Sequence, residues 1–309
     1  MFEKYRDKRL TTGEVMISDT ENRKLYRNVL GKRMAYVDEG EGTPILFLHG
    51  NPTSSYIWRN VIPHVSTQAR CIAPDLIGMG DSEKLLDADP HRYTFSQHRR
   101  FLDGFLDELG IANDLIMVGQ DWGGVLAMDW ARRHPGATRG IAYMETIVRE
   151  LRWDEVAVSI RAPLERLRSL EGDALILRDN MLVEKVLPAA MLRSLSDQEM
   201  AVYRRPFLTE GDDRLPILTF NRELPIDGRP QAIASIVAQY ADWMKESSIP
   251  KLFINAEPGA MLIGQMRDFC RTWKNQEEVK VYGGHYLQEN SPDAIGEAIA
   301  CWISRVAIA

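Results

Sequence analysis

The segment Gly119-Gln120-Asp121-Trp122-Gly123-Gly124 is the most informative part of the sequence about the fold. It directly follows an apolar run, residues 114–118, that predicts a buried strand, and it directly precedes a helical pattern over residues 125–133. A strand, a tight turn with small residues and a helix together predict a nucleophile elbow, whose central side chain projects from the carboxyl end of a sheet. The projecting residue here is Asp121. An aspartate in that place can attack carbon to form an ester, which water then hydrolyses.

The same segment also has a simpler interpretation, because Asp and Gly are common in turns without a chemical role. The rest of the chain favours the elbow. Short apolar runs bounded by Gly or Pro at residues 44–48, 140–144 and 251–254 predict buried parallel strands, and residues 96–109 predict a helix. Alternating strands and helices indicate an α/β fold with a mostly parallel central sheet flanked by helices.

The middle of the chain has a different pattern from its two ends. From residue 148 to residue 223 it is mostly helical and rich in Arg and Glu, and strand signals resume at residues 251–254 and 278–281. We therefore predict a core built from residues 1–147 and 224–309, with residues 148–223 inserted as a helical cap over the sheet.

The composition excludes several classes of function. The 309 residues are 45% hydrophobic and 27% charged, as in a globular protein. The formal net charge of −6 leaves no basic surplus to bind nucleic acid. No apolar run reaches the roughly 18 residues of a membrane span, and the first residues lack the apolar core of a signal peptide. We expect a cytoplasmic monomer or homo-oligomer without a nucleic-acid or membrane partner.

The sequence carries no motif for a metal or an organic cofactor. Cys71, Cys270 and Cys301 are an odd number without C-x-x-C spacing, which favours neither disulfides nor a zinc site, and we expect all three to be buried. The chain has no H-E-x-x-H motif, no P-loop and no G-x-G-x-x-G between a strand and a helix. The pattern predicts chemistry without a cofactor.

Hydrolysis of an aspartyl ester needs a base, and elbow proteins place it in the order nucleophile, acid, histidine along the chain. Of the six histidines, His285 alone follows Asp121 by a long interval, just after the last predicted strand. Its position predicts that His285 activates the water.

The acid that orients this histidine must lie at the end of a strand, and two residues fit. Glu145 and Glu257 each follow a predicted strand. Glu257 precedes Pro258-Gly259, a turn signature that gives it a simpler explanation. The chemical argument by itself leaves both residues open.

Asn51 and Trp122 are candidates to hold a leaving group. Asn51 lies in the loop that supplies one backbone N–H of an oxyanion hole, and Trp122 follows the nucleophile and supplies the other. Both side chains also carry N–H donors, which can hold an anion that develops as a bond to carbon breaks, and this suits a halide. A turn before Pro52 and core packing of the indole are the alternative explanations.

The chain resembles the haloalkane dehalogenases of the α/β-hydrolase superfamily, in the branch with a Glu as catalytic acid, from about residue 32 to residue 306. The motifs that carry the resemblance are His49-Gly50-Asn51-Pro52-Thr53-Ser54-Ser55-Tyr56, Asp75-Leu76-Ile77-Gly78-Met79-Gly80, Asp121-Trp122-Gly123, Tyr143-Met144-Glu145 and His285-Tyr286-Leu287-Gln288-Glu289.

This resemblance implies an α/β-hydrolase fold with an inserted helical cap. It also implies hydrolysis of carbon–halogen bonds in small halogenated aliphatic substrates, giving an alcohol and a halide ion without a cofactor. By the same resemblance, Asp121 is the nucleophile, His285 the base and Glu145 the acid, while Asn51 and Trp122 bind the halide and the oxyanion.

The chain departs from the family pattern around the expected pocket. Phe220-Asn221 stand where relatives usually have Trp-Pro near the halide, and Arg149 with Glu150 replace an apolar residue and Pro at the cap entrance. Cap positions that are often aromatic hold Leu164, Leu167 and Leu182. Since leucine offers less contact area than a ring, we predict a roomier pocket.

Three other functions share parts of this pattern. Epoxide hydrolases use the same Asp and His but polarise a ring oxygen with two cap tyrosines, for which Tyr203 and Tyr240 are candidates, and the pair of Asn51 and Trp122 argues against them. Coelenterazine-using luciferases also resemble this branch. A non-catalytic binding protein on the same scaffold would not need the complete set of Asp, His, Glu and two donors.

Overall fold

The computed structural model describes residues 17–86, 89, 91–156 and 158–306. Eight strands form one sheet with the order β1-β2-β4-β3-β5-β6-β7-β8. The strands are β1 (Leu25–Val29), β2 (Lys32–Glu39), β3 (Pro44–Leu48), β4 (Arg70–Pro74), β5 (Leu115–Asp121), β6 (Thr138–Thr146), β7 (Lys251–Pro258) and β8 (Gln276–Gly283). The pairs β1–β2 and β2–β4 are antiparallel and the other pairs are parallel, which confirms the predicted fold class.

Helices connect the strands and cover the sheet. They are α1 (Ile62–Val65), α2 (Phe95–Glu108), α3 (Trp122–Arg133), α4 (Val158–Arg168), α5 (Leu187–Ala189), α6 (Asp197–Arg204), α7 (Leu215–Glu223), α8 (Gln231–Glu246), α9 (Gly264–Cys270) and α10 (Pro292–Val306). The described residues between β6 and β7 contain helices and single helical turns but no named strand, in keeping with the helical pattern of that region.

Strand residues alternate between two apolar clusters, one on each face of the sheet. In β3, Ile45 and Phe47 belong to the cluster that includes residues of α1 and α10. Leu46 and Leu48 belong to the other cluster, with residues of α2, α3 and α8. Because both faces of the sheet are covered, the strands are apolar on both sides and appear in the sequence as continuous apolar runs.

One sequence expectation about the cysteines is wrong. Cys71 and Cys270 are buried, but Cys301 is exposed. Its position on α10 places it on the solvent side of the helix, whereas the neighbouring Trp302 and Ile303 face the core. A helix that is buried on one side only exposes every third or fourth residue, whatever its type.

A buried ion cluster joins helix α6 to the segment after β8. Arg59 donates to both carboxylate oxygens of Glu289, at 2.5 and 2.9 Å, and to Glu199 at 2.9 Å. Arg193 donates to the same two carboxylates, and the Tyr203 hydroxyl donates to Glu289. Arg59, Glu199 and Glu289 are buried and Arg193 is 23% exposed, so two cations face two anions, which is the pairing that buried charges require.

Candidate active site

Asp121 ends β5 and begins α3 in a strained backbone conformation, with φ of 53° and ψ of −129°. Two glycines permit this turn. A Cβ at Gly123 would lie 2.1 Å from the Leu48 carbonyl oxygen, and one at Gly50 would lie 2.1 Å from Asp121 Oδ1. The Thr146 hydroxyl donates to the Asp121 carbonyl at 2.6 Å and fixes the turn against the neighbouring strand. The predicted elbow is therefore the observed local structure.

His285 lies between two carboxylates. Its Nε2 is 3.4 Å from Asp121 Oδ2, and its Nδ1 is 3.5 Å from Glu145 Oε2. Asp121 ends β5, Glu145 lies at the end of β6 and His285 follows β8, and the carboxyl ends of these parallel strands lie at one edge of the sheet. Parallel strands thus bring together side chains that are 24 to 164 residues apart in the sequence.

Glu145 is fully buried, and its backbone φ of 39° turns it out of the β6 ladder. Its carboxylate accepts hydrogen bonds from the backbone N–H groups of Ala260, Met261 and Leu262, at 3.0, 2.8 and 3.2 Å. The other acid candidate, Glu257, has a side chain that is 59% exposed and lies 3.8 Å from Lys280. The structure places Glu145 beside His285 and leaves Glu257 at the surface.

The two carboxylates determine the charge of His285. Burial alone would lower the pKa of this imidazole, but contacts with Asp121 and Glu145 outweigh burial and raise it from 6.5 to about 9. The raised pKa favours the imidazolium form of His285 at neutral pH.

Asn51 and Trp122 lie on the other side of the Asp121 carboxylate. The backbone N–H of Asn51 donates to Asp121 Oδ1 at 2.7 Å. The Trp122 ring stacks on Phe220 of α7, with ring centroids 4.8 Å apart, and Phe220 in turn stacks on the buried His98. Both candidate anion donors are thus next to the candidate nucleophile.

These residues open into a cavity of about 810 Å³ between the sheet and the helical region. Its lining includes Asn51, Asp121, Trp122, His285, Phe220, Asn221, Leu164, Leu182, Leu224 and Met261. Two of the three cap leucines, Leu164 and Leu182, line this cavity, whereas Leu167 is buried elsewhere. Most of the residues that line the cavity are apolar, which suits a small aliphatic ligand.

An ion pair between Arg149 and Glu155 lies at the cavity, where the family pattern has an apolar residue and Pro near position 149. Arg149 donates to both carboxylate oxygens of Glu155, at 2.6 and 3.0 Å, and Glu155 lines the cavity together with Arg152 and Asp154. Glu150 lines a separate surface pocket. The exposed part of the cavity lining therefore includes charged side chains, since those of Arg152 and Asp154 are 62% and 68% exposed.

Sequence reasoning missed several residues that hold the site. The amide of Gln120, which is fully buried, donates to the His285 carbonyl at 3.0 Å, and the Tyr286 hydroxyl donates to the Asn51 carbonyl at 2.9 Å. His49 accepts from the Leu76 backbone N–H, and burial lowers its pKa to about 4. Adjacency to a predicted site residue was the one signal in the sequence for Gln120 and Tyr286.

The two tyrosines that an epoxide hydrolase would need are engaged elsewhere. Tyr203 donates to Glu289 in the buried ion cluster, and Tyr240 donates to the Ile147 carbonyl. Neither residue lines the cavity. Their hydroxyl groups therefore do not point to epoxide chemistry.

Within the described part of the chain, no group of three or more His, Cys, Asp or Glu side chains is arranged to hold a metal ion. None of the described helices is both long and apolar enough to span a membrane.

The fold and the arrangement of Asp121, His285 and Glu145 define an α/β hydrolase, and residues 43–292 match the family model described as alpha/beta hydrolase fold. A haloalkane dehalogenase of Sphingobium indicum is 51% identical over 92% of this chain and 96% of the relative. Another from Mycolicibacterium smegmatis is 43% identical over 94% of this chain and 93% of the relative. The crystal structure of a haloalkane dehalogenase from Bradyrhizobium elkani is 41% identical, with a TM-score of 0.88 over 93% of this chain and 99% of that one. The chain belongs to the haloalkane dehalogenases, hydrolases that act on carbon–halogen bonds.

Proposed function

We propose that this dehalogenase works through an ester on Asp121, with His285 as base and Glu145 as the acid that orients it. The observation that carries the proposal is the position of His285, 3.4 Å from Asp121 and 3.5 Å from Glu145 beside an apolar cavity. Asn51 and Trp122 hold the halide in this proposal, and their backbone N–H groups hold the oxyanion.

In the first step, the Asp121 carboxylate displaces halide from an sp³ carbon of a haloalkane. The electron pair of the carbon–halogen bond leaves with the halide, and the new bond joins carbon to a carboxylate oxygen. Side-chain N–H groups of Asn51 and Trp122 stabilise the departing anion. This step needs no base, so a protonated His285 does not prevent it.

In the second step, water attacks the carbonyl carbon of the ester. Ester formation removes the negative charge of Asp121, one of the two charges that raise the pKa of His285. The imidazolium of His285 then releases its proton to solvent more easily. The neutral imidazole that results is the base that accepts a proton from water. The 2.7 Å contact between the Asn51 N–H and Asp121 supports an oxyanion role for that group. The acyl C–O bond of the ester then breaks, and its electron pair leaves with the alkoxide, which takes the proton from the His285 imidazolium. The carboxylic acid left on Asp121 releases its own proton, so the products of the two steps are an alcohol, a halide ion and a proton.

A single-turnover experiment in ¹⁸O-labelled water tests the ester. With enzyme in excess over 1-bromobutane, the alcohol oxygen should come from Asp121, so the alcohol stays unlabelled and the peptide with Asp121 gains ¹⁸O. Label in the alcohol after one turnover would show direct attack by water and would overturn the proposal. Asp121→Asn is the control, and it should release no halide once deamidation back to Asp is excluded by mass spectrometry.

The division of the chain into a core of residues 1–147 and 224–309 and a cap of residues 148–223 is part of this proposal. The cavity between the sheet and the helical region supports it. The roomier pocket, a cytoplasmic location, and a monomeric or homo-oligomeric state stay predictions.

A further inference from the structure

We propose that Asn221 is a specificity-determining residue that adds a third N–H donor to the halide site and shifts its preference toward small halides. The inference rests on the proposed roles of Asn51 and Trp122. It concerns the position at which this chain departs from the usual Trp-Pro of the family.

The amide groups of Asn51 and Asn221 meet at a single backbone oxygen. Asn221 Nδ2 donates to the Ile217 carbonyl at 2.9 Å, and Asn51 Nδ2 donates to the same carbonyl at 3.2 Å. The two nitrogens therefore lie close together. Each is an NH₂ group with two hydrogens, so each has a second N–H that this carbonyl does not occupy.

Asn221 lies at the wall of the cavity, where its second side-chain N–H could contact a bound anion. Asn221 is 6% exposed and lines the cavity with Asn51, Asp121 and Trp122. Its neighbour Phe220 stacks on the Trp122 ring at 4.8 Å. Three residues with side-chain N–H groups thus line the same cavity as the candidate nucleophile, where a departing halide must be stabilised.

The backbone that carries Asn221 is fixed from the other side. Arg168 of α4 donates to the Asn221 carbonyl at 2.7 Å, and Asn221 sits in the last turn of α7. The amide is thus held in place before the halide forms. A pre-positioned donor loses little freedom when it binds an anion.

A third donor changes the chemistry in a defined direction. The attraction between an N–H dipole and an anion rises as the distance falls, so chloride gains more from an added donor than iodide does. Loss of a hydrogen bond to a charged group weakens binding by about tenfold or more. The chain should therefore bind chloride more tightly with Asn221 than without it.

Halide titrations at constant ionic strength and pH 8.5, followed by tryptophan fluorescence, test this inference without turnover. Asn221→Leu should weaken chloride binding about tenfold or more and iodide binding less. Asn221→Asp should weaken binding of both halides further, because a carboxylate beside the site repels them. Inhibition of 1-bromobutane turnover by added chloride should weaken in the same order.

Thr219→Asp is the matched control. Thr219 lies on the same helix but does not line the cavity, so the same added charge should leave halide binding close to that of the wild type. Near-ultraviolet circular dichroism checks that each variant is folded. If Asn221→Leu and Asn221→Asp both bind chloride like the wild type, Asn221 is not a halide donor. If the wild type itself binds no halide, the halide site proposed for Asn51 and Trp122 is wrong.

Discussion

The Nδ1 of His285 lies 3.5 Å from Glu145 Oε2 although Glu145 lies in β6 and His285 follows β8, two strands that are separated by β7. Glu145 can contact His285 across β7 because its backbone, with a φ of 39°, leaves the β6 ladder. Its carboxylate then accepts hydrogen bonds from the backbone N–H groups of residues 260–262. The loop after β7 thus fixes the Glu145 carboxylate beside a histidine that follows the next strand.

Glu145→Gln should impair ester hydrolysis more than ester formation. The imidazolium that forms in the second step loses its counter-charge, and the expected loss in turnover is on the order of a hundredfold or more. Pre-steady-state kinetics should show a burst of halide followed by slow turnover. Glu257→Gln serves as the control and should turn over normally, because the Glu257 side chain is 59% exposed. The reverse pattern in the two variants would assign the acid to Glu257.

His285→Phe should form the ester and fail to hydrolyse it, since displacement by Asp121 needs no base and attack by water does. Mass spectrometry should find one alkyl adduct on the peptide with Asp121, with at most one equivalent of halide released. Sustained turnover in this variant would mean that another group activates water.

Stability should depend on pH through His285. Its folded pKa of about 9 lies above the ordinary value of 6.5, so the folded protein binds the extra proton between these pH values. The contribution of His285 to the free energy of unfolding is then complete below pH 6.5, and it is lost as pH rises to about 9, by an amount on the order of a few kcal/mol.

Urea unfolding of the wild type and of His285→Phe across pH 6 to 9.5 isolates this contribution. The quantity to compare is the difference in the free energy of unfolding between the two proteins. Burial lowers the pKa values of Lys84 and Lys251 to about 8, so these lysines increase the stability of both proteins as pH rises, and the difference removes their effect. A difference that stays constant over this range would contradict the raised pKa of His285.

Gly50→Ala should lower activity on the order of a hundredfold while the fold survives. The added Cβ would lie 2.1 Å from Asp121 Oδ1 and 2.5 Å from Asp121 Cβ, so the carboxylate must move away from its contacts, and small displacements of reacting groups are costly. Gly136→Ala is the control, because a Cβ there meets nothing within 4 Å. Halide release from 1-bromobutane and thermal unfolding measure the two effects. Unchanged turnover in Gly50→Ala would show that the carboxylate does not need this position.

Much of the fold could be predicted because buried parallel strands have apolar residues on both faces. The runs at 44–48, 140–144 and 251–254 each lie within a strand of the sheet. The sequence analysis did not predict β1, β2 and β4. β1 has a partly exposed pattern, LYRNV, that offers no apolar run, β2 combines polar ends with a short buried centre, and β4, RCIAP, has only three apolar residues between Arg70 and Pro74.

The site could be predicted only in part. The elbow is a local feature, so its six residues predicted it together with the strand before them and the helix after them, and chain order then pointed to His285. The proximity of Glu145 to that histidine depends on one left-handed backbone turn and on three N–H groups more than a hundred residues away, which no local pattern records. The sequence also gives no sign that Asn51 and Asn221 donate to the same carbonyl, because Asn51 lies 166 residues from Ile217.

The buried ion cluster has a consequence for exchanging caps between relatives. Glu199 and Arg193 come from the helical region, while Arg59 and Glu289 come from the sheet domain, and the guanidinium groups bridge both carboxylates. A transplanted helical region that lacked Glu199 or Arg193 would upset the balance of two cations and two anions next to the segment that carries His285. A chimera of two such enzymes should therefore take all four of these residues from the same parent, so that the two cations and the two anions still pair.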